Sequence, residues 1–170
     1  FGVWNVPGVE LDAHFSDHHP ILDTLIYGFA AQTSEAQTGS WNTGLFTLAT
    51  VQSLVTAICF SYALATARDM GAPRTLCVVV FILVGLVPVF GHYASLNMKD
   101  SIFSPIYLLW FTLIARLVNS KGALARSPGF FIVLLVFGVL CALTKKTGVY
   151  VVVPTLAALA LIYWRAWWRL

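Results

Sequence analysis

The residues best suited to chemistry lie near the start of this 170-residue chain, in the stretch Asp12-Ala-His-Phe-Ser-Asp-His-His-Pro-Ile-Leu-Asp23. The stretch holds three of the seven acidic residues and three of the four histidines. A carboxylate can act as a general base when burial and neighbouring cations tune its pKa. Asp17 is our first candidate for such a base, because it precedes a predicted helix that would hold it in place. Its alternative role is the N-cap of that helix, and Asp12 is the second candidate.

The histidines in this stretch leave several alternatives open. His14 and His18 are four residues apart, a spacing that suits zinc in a helix, but the segment is not predicted to be helical. A divalent ion held by Asp17 with His18 or His19 is a second alternative, and no other cofactor is indicated. His18 and Asp23 also fit the H-x4-D pattern of glycerolipid acyltransferases, a short pattern with two fixed positions. Outside that pattern, Asp23 is predicted to lie on the solvated face of its helix.

Composition places the chain in the membrane. It is 59% apolar and 10% charged, with a mean hydropathy of +0.82, whereas soluble domains are about 45–50% apolar and about 25% charged. The apolar runs are continuous rather than alternating, which predicts helices and not barrel strands. The net charge of +3 would suggest an anionic partner only if the basic residues were clustered, and no nucleic-acid partner is expected. Because the sequence opens at Phe1 without a signal-like segment, we expect a fragment of a longer chain.

The predicted fold is an all-α polytopic bundle of about five spans, at roughly 20 residues each. Residues 1–43 form an extracytoplasmic loop that carries an amphipathic interfacial helix, from Pro20 to about Ala31, followed by a loop over residues 32–40. The bundle itself covers residues 44–170, and its fourth span is short. Gln52 and Ser53 on the first span should face other helices rather than lipid. The predicted spans are 44–67, 75–90, 102–118, 130–143 and 149–163.

The basic residues predict the orientation of these spans. One side of the membrane would hold seven of them: Arg68, Arg74, Arg116, Lys121, Arg126, Arg165 and Arg169. The other side would hold only Lys99, Lys145 and Lys146. The richer side is expected to face the cytosol. Residues 1–43 and the loops near 91–101 and 144–148 therefore share the extracytoplasmic side. The scarcity of lysine and the wealth of arginine, alanine and tryptophan favour a bacterial inner membrane.

The two later loops add candidates for binding an anion. Lys145 and Lys146 follow a short span, so their ammonium groups would lie at headgroup depth and could bind a lipid phosphate. Snorkelling anchors are the alternative for both. Lys99 and Asp100 open another span, where Asp100 also suits the helix dipole. His92 is either part of the same site or an interfacial polar residue.

The chain resembles the GT-C glycosyltransferases, multi-spanning enzymes that use polyprenyl-phosphate sugars and include protein mannosyltransferase-like and aminoarabinose transferase-like members. The resemblance rests on Asp17 with a following His-Pro and on a helix that reaches Gly28. It continues at three further motifs, Asn42-Thr-Gly44 with Gln52, Lys99-Asp-Ser-Ile-Phe103, and Leu143-Thr-Lys-Lys-Thr-Gly-Val-Tyr150.

This resemblance implies Asp17 as catalytic base, inversion at the sugar carbon, and a lipid phosphate as leaving group. Lys145, Lys146 and Lys99 would neutralise that phosphate, with the spans forming a groove for the prenyl tail. The expected partners are a polyprenyl-phosphate sugar donor, a glycan, lipid or protein acceptor, and membrane lipids. The rival interpretations are a transporter or flippase fragment, which should carry ionisable residues deep within its spans, and the H-x4-D acyltransferase.

The predicted sidedness is testable at Ser16. A single cysteine placed there, with Cys59, Cys77 and Cys141 replaced, should react with a membrane-impermeant maleimide in intact cells, because the acidic loop should face outward. Labelling only after the cells are opened would place the loop in the cytosol and favour the acyltransferase interpretation.

Overall fold

The structure is a computed structural model that describes residues 21–167, and within that range the chain is helical with no strand. The α-helices are α1 (Ile21–Thr38), α2 (Trp41–Asp69), α3 (Arg74–Leu86), α4 (Pro88–Ser95), α5 (Lys99–Asn119), α6 (Pro128–Thr144) and α7 (Lys146–Trp167). A 3-10 turn over Ala123–Arg126 joins α5 to α6. The predicted all-α fold is confirmed.

Three of the described helices are long and apolar enough to cross a membrane, namely α2, α5 and α7. A fourth crossing is formed if the bent pair α3 and α4 counts as one span. The helix α6 has 17 residues, where the sequence predicts 14 over residues 130–143. At about 1.5 Å per residue it reaches roughly 26 Å, at the lower limit for spanning a bilayer core. The chain is therefore an integral membrane protein, and its fourth predicted span is longer than expected.

The predicted span over residues 75–90 is broken in the structure. The helices α3 and α4 meet at an angle of 65°. Val87 between them has φ −78° and ψ 111°, outside the helical region. Pro88 explains the break, because a proline ring disfavours the helical conformation of the preceding residue and provides no N–H. Consequently residues 88–95 are helical, and the predicted loop over residues 91–100 shrinks to residues 96–98.

The helix α1 extends past the predicted end. Residues 32–38, predicted as a loop, continue the helix to Thr38. The turn closes on Gly39, whose φ of +69° is the left-handed conformation that commonly ends helices. Ser34 Oγ donates a 2.7 Å hydrogen bond to the carbonyl of Ser40. These contacts leave only two residues between α1 and α2, which pack against each other as a tight hairpin.

The burial pattern of α1 is inverted relative to a soluble helix. Asp23 and Ser34 are buried, at 3% and 9% exposure, whereas Leu25 and Phe29 are 61% and 74% exposed. The prediction that Asp23 lies on a solvated face is therefore wrong. A helix at a membrane turns its polar groups toward other helices, because lipid provides no hydrogen-bond partner for them.

The apolar core lies between α5, α6 and α7. Trp110 and Leu117 of α5 are almost fully buried, as are Leu134 and Cys141 of α6. Val152 of α7 completes this cluster. The helix α2 packs against α5 on one side and α1 on the other. This arrangement brings Asp100 at the start of α5 close to Lys145 at the junction of α6 and α7.

The hairpin of α1 and α2 should depend on Gly44. A Cβ atom at this position would lie 2.1 Å from the carbonyl oxygen of Ala30 and 2.7 Å from Cβ of Ser34. We expect Gly44→Ala to destabilise the purified protein by about 1–3 kcal/mol, the usual cost of overpacking. The measurement is the thermal unfolding midpoint in detergent. The matched control is Gly85→Ala, because Gly85 lies within α3 and has no neighbouring atom within 4 Å of that site. Equal midpoints for the two variants would contradict the close approach.

Candidate functional site

Four of the candidate residues lie outside the described part of the chain. These are Asp12, Asp17, His18 and His19. The described chain begins with α1 at Ile21.

The 96–98 loop, which joins α4 to α5, also accepts hydrogen bonds from side chains of α1 and α2. The Tyr27 hydroxyl of α1 donates a 2.9 Å hydrogen bond to the carbonyl oxygen of Met98. Gln52 Nε2 of α2 donates a 2.6 Å hydrogen bond to the carbonyl oxygen of Leu96. Ser101 Oγ, in the first turn of α5, donates to the Tyr93 carbonyl of α4 at 2.6 Å. The loop therefore has its backbone carbonyls paired by side chains from distant parts of the sequence.

Gln52 is a buried amide inside an otherwise apolar span. Its side chain is 6% exposed, as predicted for a polar residue facing other helices. Among the described residues, Oε1 has no hydrogen-bond partner. A buried amide oxygen of this kind can accept a hydrogen bond from a hydroxyl or amine that enters the site.

Asp100 and Lys145 form an ion pair that joins two of the predicted loops. Lys145 Nζ lies 2.5 Å from Asp100 Oδ1, and the two side chains are 32% and 28% exposed. The ammonium group also lies 5.3 Å from the centre of the Phe103 ring, within the range of a cation–π contact. Partial burial reduces the screening that weakens fully exposed pairs. Lys145 is therefore held at a defined place rather than free in solvent.

The backbone conformation at the junction of two helices also defines the position of Lys145. It is the single residue between α6 and α7, and its φ of −152° and ψ of 129° are extended. Gly148 permits this sharp junction, because a Cβ there would lie 2.2 Å from the Cys141 carbonyl oxygen. Thr144 is fully buried and donates to the Leu140 carbonyl at 2.8 Å. The predicted break over residues 144–148 is thus one residue long.

The other candidates of the later loops lie at the starts of α5 and α7 and on α4. Lys146 is exposed and begins α7. His92 is exposed on α4, and its carbonyl accepts a hydrogen bond from the Leu96 N–H at 3.1 Å. Lys99 begins α5, and its side chain lies outside the described part. Among the candidates of the later loops, the structure brings together Asp100 and Lys145.

Tyr27 is a site residue that the sequence reasoning missed. Burial, followed by the nearby Asp23 carboxylate, raises the pKa of Tyr27 to about 12. The phenol therefore stays protonated at physiological pH and remains a hydrogen-bond donor. Asp23 and Tyr27 are four residues apart on α1, so they lie on the same helix face. That spacing was the signal available in the sequence.

We call Asp23, Tyr27, Gln52, Asp100 and Lys145 the polar end of the bundle. It combines two carboxylates, one ammonium group, a phenol donor and an amide, all contributed by helix ends or by helices that contact the 96–98 loop. Such a set can bind a phosphate through the lysine and hydroxyl groups through the amide and phenol. Within residues 21–167 no cluster of three metal-ligating side chains occurs.

Comparison with known proteins identifies the family. Residues 9–170 match DUF6020, described as a family of unknown function. The chain belongs to the DUF6020 family. A search of curated proteins and a search of solved structures found no match. The family match covers the polar end together with its preceding acidic stretch and all the described helices.

The ion pair should show energetic coupling. We expect Asp100→Asn and Lys145→Met each to lower stability, since each leaves a partly buried group unpaired. The double variant should lose less than the sum, with a coupling of about 0.5–1 kcal/mol for a pair of this exposure. Thermal unfolding in detergent measures all three. The control cycle combines Asp100→Asn with Lys121→Met, which lies just beyond the far end of α5, and there the effects should add. Additivity in both cycles would contradict the pair.

Proposed function

We propose that this DUF6020 chain is the membrane part of a glycosyltransferase that moves a sugar from a polyprenyl-phosphate donor to an acceptor hydroxyl. The polar end would be the donor site, on the extracytoplasmic face. The observation that supports this most is the placement of Lys145, paired with Asp100 2.5 Å away at the ends of two apolar helices. Helix ends of this kind lie at headgroup depth, where a lipid phosphate would be found.

The lysine suits a phosphate that gains charge during the reaction. When the bond between the sugar and the phosphate breaks, the leaving polyprenyl phosphate carries an additional negative charge. A fixed ammonium group stabilises that charge more than it stabilises the donor, which is how a binding contact accelerates a reaction. Lys146, which follows directly in the sequence, would supply a second cation, and Lys99 a third.

Asp17 is proposed as the base because its position in the sequence limits its distance from the start of α1. It precedes Ile21, the first residue of α1, by four residues, which span at most about 14 Å when extended. Asp23 and Tyr27 anchor the first turns of α1 against the bundle. The Asp17 carboxylate would accept the proton of the acceptor hydroxyl as its oxygen attacks the sugar carbon. The phosphate oxygen leaves from the opposite side, which inverts that carbon.

The charge distribution argues against the rival transporter. The bent pair of α3 and α4 is a feature that transporters share, since broken helices line their binding sites. Transport of ions or polar solutes, however, uses ionisable residues near the middle of the membrane. The interiors of α2, α5 and α7 carry none between their terminal turns. The ionisable groups of the described spans gather at their ends, as interfacial chemistry requires. The acyltransferase alternative would instead place the acidic loop on the cytosolic side of the membrane.

The proposal predicts distinct effects for the base and the phosphate ligand. Asp17→Asn should lower sugar transfer at least about 100-fold, the lower range for loss of a general base. Lys145→Met should lower kcat as well as kcat/KM for the donor, because it removes a charge that favours the leaving phosphate over the bound donor. The assay uses membranes that contain the full-length protein and a panel of undecaprenyl-phosphate-linked hexoses and pentoses, and it follows release of undecaprenyl phosphate. Glu10→Gln is the matched control, because it removes a carboxylate from the same loop. Full activity of Asp17→Asn, alongside an active wild type, would rule out the assigned base.

A further inference from the structure

A second binding feature lies at the opposite end of α2 from its Trp41 start, between the last turns of α2 and the first turns of α3. It is an open groove of about 320 Å³ with two arginines at its rim and apolar side chains below them. The lining residues are Ser61, Leu64, Arg68, Arg74, Cys77, Val78 and Phe81. Nothing in the proposed sugar transfer uses this groove.

The spacing of these residues explains the shape of the groove. On α3, Arg74, Val78 and Phe81 are spaced by four and three residues, so they form one stripe along the helix. On α2, Leu64 and Arg68 are four residues apart and face this stripe. Cys77 Sγ lies 3.9 Å from the Leu64 carbonyl oxygen, which marks the contact of the two helices. Each stripe therefore has an arginine at the end of the span and apolar groups toward its middle.

The two guanidinium groups are available for an anion. Neither the Arg68 nor the Arg74 side chain has a hydrogen bond or ion pair within the part of the chain that the structure describes, and both are exposed. Arg116 differs, since its guanidinium donates to the Tyr62 hydroxyl. Asp69 is the neighbouring acid in the turn, and it neither lines the groove nor pairs with either arginine. The rim of the groove is thus positively charged.

A charged rim above an apolar floor matches the chemistry of a membrane lipid. Phe81 and Val78 are 56% and 45% exposed at positions within a span, where lipid chains are the surrounding medium. Phe81 lies seven residues from Arg74, about 10 Å along the helix. A phospholipid has the same order, with an anionic headgroup at the interface and an acyl chain beneath it. Arginine binds phosphate through several N–H groups at once.

We propose that the groove between α2 and α3 binds one anionic phospholipid, with Arg68 and Arg74 on its headgroup phosphate and an acyl chain along Val78 and Phe81. With the predicted orientation, this lipid belongs to the cytosolic leaflet. The site is independent of the sugar transfer proposed above, and neither needs the other.

The test is native mass spectrometry of the full-length protein in mild detergent, titrated with phosphatidylglycerol or phosphatidylcholine of matched chains. Wild type should bind one phosphatidylglycerol more tightly than phosphatidylcholine. The variant Arg68→Ala/Arg74→Ala should lose about tenfold or more in phosphatidylglycerol affinity, given the contribution of each cation near an anionic lipid. The variant Lys121→Ala/Arg126→Ala removes the same charge from the same predicted side outside the groove, and it should keep the affinity.

A third variant separates a groove from simple surface attraction. Val78→Trp fills the apolar part and leaves both arginines in place, so it should also weaken phosphatidylglycerol binding. Unfolding midpoints of the variants confirm that each is folded. Equal losses in the groove and control double variants, or an unchanged affinity in Val78→Trp, would overturn the proposal. Competition by free inorganic phosphate at millimolar concentration would also overturn it, since it would show a phosphate site without lipid selectivity.

Discussion

The constraint on which this structure depends is that hydrocarbon provides no hydrogen-bond partner for a polar group. Its consequence is visible at every level of the molecule. The backbone is helical almost throughout the described residues, large apolar side chains such as Leu86 and Leu161 are exposed, and polar side chains turn inward. The same constraint explains why Gln52 and Asp23 are buried, and why the carbonyls of the 96–98 loop are paired by side chains from α1 and α2.

Inward-facing polar groups concentrate chemistry at one end of the bundle. The carbonyl oxygens of Leu96 and Met98 accept local backbone N–H groups, and Gln52 and Tyr27 each add a second donor to one of them. The ion pair of Asp100 and Lys145 joins the start of α5 to the junction of α6 and α7. The groups that stabilise this end of the bundle are thereby held in place by contacts between helices. A site that binds a charged lipid benefits from this rigidity, because fixed dipoles and charges need no rearrangement during the reaction.

The two proposed sites differ in whether their basic side chains are paired with a carboxylate. At the polar end, the Lys145 ammonium group is paired with the Asp100 carboxylate 2.5 Å away. At the groove between α2 and α3, Arg68 and Arg74 have no such partner within residues 21–167. Both follow from basic residues at helix ends, where the long side chains reach phosphate while their stems stay among apolar groups.

The sequence by itself determined the helical class, the membrane setting and the positions of charge at the span ends, because apolar run length and local composition are properties of neighbouring residues. It also indicated that Gln52 would be buried. It missed the break at Val87, the continuation of α1 to Thr38 and the burial of Asp23. Only the tertiary structure decided which groups meet. Asp100 and Lys145 are 45 residues apart and Tyr27 and Met98 are 71 apart. Such pairings depend on how all the helices pack, and the sequence pattern of a single segment does not determine that packing.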